Sequence, residues 1–285
     1  MVVPCTYIFM SLSHVPKIPL ADKLIAWLYR SGRPGLAATL LWQTKGCNLS
    51  SLIQWPDASG MTWMLNPHVA IDRALLLTGR HDPEIFDILS AEIRPHDVVW
   101  DIGANIGCLS LPLVRMHKTV RLVAFEPSPA AAHQFTLNAE LNGLKAELVT
   151  TPLADRLRAE CLHIKLSRNS GQNSLRPWEE VSYDFKIHLL CESAASLMEK
   201  GNLPEPNIVK LDVEQFEEEV LRGMEPILRG SKLRLLIFEC MRNNSPQRFQ
   251  AISDLLSECG FRVDEIPPEP GKPVENFVAR RTGLA

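Results

Sequence analysis

Apolar and polar positions alternate between two rhythms from about residue 84 to the end of the chain. EIFDILSAEI (84–93) has the spacing of an amphipathic helix, and VVW (98–100) that of a buried strand. A glycine-containing turn, a helix over 106–117 and the strand RLVAFE (121–126) follow. Ser128-Pro129 can cap and open a helix that stops at Asn142-Gly143, where a left-handed residue commonly ends one. Next come a strand over 146–154, a hairpin containing CLHIKLS (161–167) and a loop around 169–175. The second half repeats the alternation, with strands over 207–213, 233–240, 261–266 and 276–280 and helices over 214–224 and 246–258. Inner strands apolar on both faces, separated by helices, predict an α/β fold with a mostly parallel sheet. The last two strands, joined by a short proline-rich turn, should pair antiparallel at one edge.

Upstream the pattern is different. Residues 20–30 and 35–43 read as helices split by Gly32-Arg33-Pro34-Gly35, with Trp27, Leu28 and Trp42 as core contacts. Residues 1–60 are therefore expected to form a helical extension, and 61–285 the main domain.

Composition narrows the class. A net charge of −3 offers no basic field for nucleic acid. No stretch reaches the roughly 18–20 uninterrupted apolar residues of a membrane span. The first residues lack a basic leader region, and the seven cysteines are dispersed without a CxxC pair. Reduced thiols and a cytoplasmic location are the expectation.

In open α/β sheets the ligand lies beyond the carboxyl ends of the strands, where strand order reverses. The turn after the first strand reads Asp101-Ile102-Gly103-Ala104-Asn105-Ile106-Gly107. Asn105 stands where a dinucleotide fingerprint has its second glycine, which disfavours NAD. Asp101 would repel a pyrophosphate and attract a cationic group. Glu126 ends the next strand, 23 residues after Gly103, and is placed to accept ribose hydroxyls. A nucleoside with a cationic tail and no phosphate satisfies these conditions, as S-adenosylmethionine does. In this reading the glycines admit the methionine portion, and Asp101 faces its positive end.

These blocks, in order, resemble the FkbM-type methyltransferases: HDPEIFDIL (81–89), VVWDIGANIGCLSL (98–111), LVAFEPSP (122–129), LNAELNGL (137–144), PLAD (152–155), NSL (173–175), IVKLDVEQFEEEVLRGM (208–224) and LLIFEC (235–240). The resemblance implies a class I methyltransferase fold, S-adenosylmethionine as cofactor, and a hydroxyl of a sugar, glycan or natural-product scaffold as acceptor. Asp101, Gly103, Asn105, Gly107 and Glu126 then fall at the cofactor, with Asp155 near its adenine. Asp212 and Glu214 match the acids of the D-V-E-G-x-E block and Glu217 its last acid, while Gln215 replaces its glycine. Asp212 is the candidate for positioning, and Glu214 or Glu239 for receiving the hydroxyl proton. No histidine joins these acids at ligand spacing, so no metal is expected. Glu218 and Glu219 read as a solvated helix face, with Glu218 able to pair with Arg222; His163 and His188 read as surface or packed side chains. A non-catalytic cofactor-binding module and an NAD-dependent oxidoreductase are the competing functions.

Overall fold

The computed structural model describes residues 53–57, 60–66, 69–165, 170–201, 203–268 and 275–283, together with Leu24. Apart from helical Leu24, the helices expected over 20–30 and 35–43, with Trp27, Leu28 and Trp42, lie outside the described residues. The chain first forms β1 (Ile53–Pro56) and β2 (Thr62–Leu65), an antiparallel hairpin whose turn contains the boundary expected at residue 60. Helix α1 (Ala70–Thr78) was also not foreseen, whereas α2 (Pro83–Glu92) was; its Ile85 and Leu89, four residues apart, are buried.

The main sheet starts with β3 (Val98–Ile102), buried at every position. Helix α3 (Ser110–Met116) begins later than the expected 106, which places Pro112 in the first turn, where no intrahelical bond is lost. After β4 (Arg121–Phe125) comes α4 (Pro129–Leu141), whose polar residues fasten its neighbours. Buried Asn138 accepts from the Met64 N–H at 2.7 Å and donates to the Ile106 carbonyl at 3.0 Å. Asn142 exchanges two hydrogen bonds with Thr62. The two asparagines of the LNAELNGL block thus tie the hairpin and the glycine turn to one helix.

The expected strand over 146–154 is two: β5 (Glu147–Val149) and β6 (Leu153–Ala154), separated around Pro152, which has no N–H for a ladder. Strands β7 (Arg158–Ile164) and β8 (Phe185–Ser193) pair antiparallel, and β8 also pairs parallel with β6 in a separate small sheet. The remaining elements are α5 (Ala194–Gly201), β9 (Ile208–Leu211), α6 (Glu217–Gly223), α7 (Glu225–Arg229), β10 (Leu235–Glu239), α8 (Pro246–Glu258), β11 (Phe261–Glu265) and β12 (Asn276–Arg281). Helix α6 starts three residues after the expected 214 because Glu214 and Gln215 take positive φ values of 53° and 74°.

The seven-stranded sheet has the order β11-β12-β10-β9-β3-β4-β5. Strands β10, β9, β3, β4 and β5 run parallel, and β12 is antiparallel to both its neighbours, as the sequence predicts. Alternate side chains serve opposite faces. Val99 joins Leu89, Leu111 and Phe135 on one side of the sheet; Trp100 joins Leu221, Leu228 and Leu256 on the other. Each large side chain buried this way contributes roughly 1.5–3 kcal/mol. Strand order reverses between β3 and β9, so their carboxyl ends form the crevice in which such sheets hold ligands. The five described cysteines are free thiols. Among the described residues no helix is long and apolar enough to cross a membrane.

Candidate active site

A cavity of about 290 Å³ runs over the carboxyl ends of β3, β4, β9 and β10. The glycine turn forms its floor. The Gly103 and Ala104 N–H groups both donate to the Phe125 carbonyl, at 2.9 and 3.0 Å, clamping the turn onto the end of β4. Gly103 and Gly107 both have φ near +82°. A Cβ at position 103 would lie 1.7 Å from the Asp212 carbonyl oxygen, and one at 107 would lie 2.6 Å from Leu111 Cδ1 and 2.9 Å from Phe135 Cδ2. The chain itself therefore requires both glycines. What crowds Gly103 is the backbone after β9, and what crowds Gly107 is the apolar core; Gly103 also lines the cavity, whereas Gly107 does not.

Glu126 lies at the end of β4 and lines the cavity. Its Oε2 accepts from the Asn105 N–H and its Oε1 from the Ser128 N–H, both at 2.8 Å. Burial pushes its carboxyl up to about 7, against those hydrogen bonds. Each oxygen keeps a second lone pair for a ligand hydroxyl. Beside it, Asn105 Oδ1 is buried with no hydrogen-bond partner among the described residues. Leu153, Leu162 and Phe125 add apolar wall. A buried acceptor pair, an uncommitted amide oxygen and an apolar wall fit a nucleoside with a polar tail.

Asp101 is placed differently from the expectation. It is 1% exposed, does not line the cavity, and has Lys210 as its partner across the β3–β9 ladder. Lys210 Nζ lies 3.4 Å from Asp101 Oδ1 and 3.3 Å from Asp212 Oδ2, and donates to the Gly103 carbonyl at 3.0 Å. Burial acts to lower the Lys210 pKa, but Asp212 and Asp101 outweigh it and hold the ammonium charged. Asp101 faces the protein's own cation. The sequence signal for Lys210 is a lysine in a strand otherwise apolar and buried on both faces, because a buried cation needs partners.

Across the cavity, Asp212, Glu214 and Glu239 bring carboxylate oxygens within 4.8 Å of one another, close enough to share a proton or a divalent cation. Burial pushes Glu214 upward, and Asp212 together with burial pushes Glu239 upward, since crowded like charges cannot all ionise. Glu217 is 3% exposed and holds the turn from within: its Oε1 accepts from the Val213 and Gln215 N–H groups at 3.3 and 3.2 Å. Ser174 Oγ donates to the Glu214 carbonyl. Gln215 occupies a left-handed conformation suited to the glycine it replaces. Glu218 pairs with Arg222 at 2.8 Å as expected, but Glu219 is mostly buried and pairs with Arg176 instead of forming solvated surface.

Asp155 is not brought into the cavity. Arg158 and Arg156 bind its two oxygens at 2.5 and 2.7 Å, and Pro152 and Leu153 line the wall where it was expected. Asn173 does line the cavity, with its Oδ1 held by the Lys165 N–H at 2.8 Å. His163 packs against Tyr183 and His188 is exposed on β8. His81, which was not singled out, lines the cavity; Cys108 and a 3.0 Å contact to Asp82 hold its imidazolium well above its ordinary range.

The sequence profile of the methyltransferase FkbM domain matches residues 101–263. Hexuronic acid methyltransferase AglP of Haloferax volcanii is 30% identical over 195 residues, covering 65% of this chain and 72% of that protein. The 31-O-demethyl-FK506 methyltransferase FkbM of Streptomyces tacrolimicus is 24% identical over 219 residues, covering 67% and 83%. A crystal structure of a SAM-dependent O-methyltransferase from Thermotoga maritima superposes with a TM-score of 0.46 at 13% identity, over 74% of this chain and 71% of that one.

Proposed function

The chain belongs to the FkbM methyltransferase family and is an S-adenosylmethionine-dependent methyltransferase, and on that premise we propose that it methylates a hydroxyl oxygen of a sugar, glycan or natural-product acceptor. One observation carries the proposal: a single cavity joins a nucleoside-binding end, at Glu126 and Asn105, to a cluster of three carboxyl groups at Asp212, Glu214 and Glu239.

Glu126 accepts the ribose hydroxyls, and Asn105 Oδ1 takes a donor from the cofactor's polar tail. When bound, S-adenosylmethionine supplies an electrophilic methyl group on a cationic sulfur. In-line transfer then depends chiefly on alignment, which the clamped turns after β3 and β9 provide. A hydroxyl becomes an adequate nucleophile as it loses its proton, and the cluster of Asp212, Glu214 and Glu239 receives that proton through its ionised member, since crowding keeps the three from all being charged at once. Asp212, fixed by Lys210, orients the acceptor. Gln215 takes a left-handed conformation that a glycine adopts freely, which favours an active enzyme over a module that has lost its chemistry. The five described cysteines, free and mostly buried, support a cytoplasmic setting.

The test is calorimetry with S-adenosylhomocysteine and NAD on the wild type and Glu126→Gln. Loss of charge-assisted hydrogen bonds to ribose should weaken S-adenosylhomocysteine by roughly 10–100-fold without unfolding the protein. Equal affinity in the two proteins, or binding of NAD alone, would sink the assignment.

A further inference from the structure

A second, smaller cavity adjoins the first, and Glu214 and Glu239 line both. Its other walls include Trp178, Gln215, Asn244, Ser245 and Arg248. The cofactor-binding end lies on the other side of the acids, so this space lies where an acceptor must extend if its hydroxyl is to meet them. The chemistry of its walls is informative. Arg248, in the first turn of α8, is half-buried yet makes no hydrogen bond and no ion pair among the described residues. Trp178 Nε1 is buried and likewise has no hydrogen-bond partner among them. Ser245 precedes α8 without capping it through its side chain. One cationic donor is thus uncommitted on the wall of this cavity, beside an indole whose N–H is buried and unpartnered among the described residues.

An uncommitted cationic donor at a helix start favours an anion, and the planar guanidinium matches a carboxylate with two parallel hydrogen bonds. Indole offers both a flat apolar face and an N–H, a combination suited to a sugar ring. Glu217 is an acid whose charge the Arg248 guanidinium influences, but Glu217 is engaged by the backbone of its own turn. Resting on the methyltransferase reading, we propose that the second cavity is an acceptor subsite for a carboxylate-bearing sugar of the uronic-acid class, with Arg248 binding the carboxylate, Trp178 packing on the ring, and a neighbouring hydroxyl directed at Glu214 and Glu239. Gln215, at the edge of this subsite, replaces the family glycine where the acceptor lies and not where the cofactor lies.

The experiment follows labelled methyl transfer from S-adenosylmethionine to para-nitrophenyl β-glucuronide and to the matching β-glucoside, with wild type, Arg248→Gln and Arg248→Lys. S-adenosylhomocysteine calorimetry is run on each protein as a check of fold and cofactor site. The wild type should favour the glucuronide by about tenfold or more in kcat/KM, mainly through KM, because a buried Arg–carboxylate pair is worth at least that factor. Arg248→Gln should bring the two sugars to within about twofold while leaving S-adenosylhomocysteine affinity unchanged, and Arg248→Lys should recover part of the preference. An unchanged ratio in Arg248→Gln, or indifference in the wild type, overturns the subsite. So does binding of S-adenosylhomocysteine with methylation of neither sugar, an outcome that leaves the methyltransferase reading standing. Failure of the wild type to bind S-adenosylhomocysteine removes that reading and this proposal with it.

Discussion

The substitution Gly103→Ala would place a methyl carbon 1.7 Å from the Asp212 carbonyl oxygen and 2.8 Å from the carbonyl carbon. Neither atom can swing aside as the end of a side chain can, so one of two backbone turns has to move. The position also has φ of +82°, which costs an L-residue roughly 1–2 kcal/mol before any contact is counted. Overpacking adds about 1–3 kcal/mol, and a backbone obstacle puts this site at the upper end. The sum, about 3–5 kcal/mol, is a large part of the roughly 5–15 kcal/mol that stabilises a domain. Gly143→Ala is the matched control, since Gly143 has φ of +61° with nothing within 4 Å of an added Cβ. Urea unfolding should show Gly143→Ala losing only the backbone cost, and Gly103→Ala losing about 2 kcal/mol more. S-adenosylhomocysteine binding should weaken only in the second, because displacement of the turn disturbs Asn105 and the Lys210–Asp212 contact. Equal losses in the two variants would show that the close approach of the β3 and β9 turns is not a feature of the protein, and the account of the site would fall with it.

Three further outcomes follow from the same geometry. Lys210→Met leaves Asp101 as a buried carboxylate without its cation and should cost about 3–5 kcal/mol in urea unfolding, with partial recovery in Lys210→Met/Asp101→Asn; wild-type stability in the single variant would refute the pairing. Gln215→Gly relieves a left-handed φ of 74° and should stabilise the fold by about 0.5–1 kcal/mol net of glycine's own entropy cost, read as a raised thermal midpoint; a lowered midpoint would refute the strain. Glu126 and Glu217 are each pushed by burial from 4.5 to about 7, so the folded chain binds protons that the unfolded chain releases in that window. Their contribution is complete below the unfolded value and is lost as pH rises through the folded one, roughly 3 kcal/mol for each. The urea midpoint should therefore fall between about pH 5 and pH 7.5, less steeply in Glu217→Gln, and a rising midpoint would contradict the burial argument.

Periodicity made the sheet legible because strands buried on both faces, β3, β4, β9 and β10, are short apolar runs, while β11 and β12 are legible as edge strands joined by a proline-rich turn. The seventh, β5, was merged with β6: nothing in VTTPL marks the point at which the chain leaves one sheet for another, except the missing N–H of Pro152. The β1–β2 hairpin escaped because its stability comes from Asn138 and Asn142, some 75–80 residues away, and a local pattern carries no trace of such partners. Site residues divide along the same line. Glu126 lines the cavity, as its place at a strand end suggests. Asp155 has an equally suitable position in the sequence, but Arg156 and Arg158, one and three residues on, take both its oxygens.

Asp101 shows why a strand-tip acid is an ambiguous signal. The residue type, the position and the local charge argument were all satisfied, yet the cation it meets is Lys210, 109 positions away in sequence and adjacent in the ladder. Had the two blocks been read as neighbouring parallel strands in register, their opposite charges would have pointed to one another. What remains for the ligand is then what the protein has not already satisfied. By that criterion Asn105 Oδ1, the second lone pairs of Glu126, the crowded acids at Asp212, Glu214 and Glu239, and the idle guanidinium of Arg248 are the groups with chemistry to spare. Asp101 belongs instead to the frame: through Lys210 it fixes Asp212 and the Gly103 carbonyl together, and so sets the distance between the turn after β3 and the turn after β9.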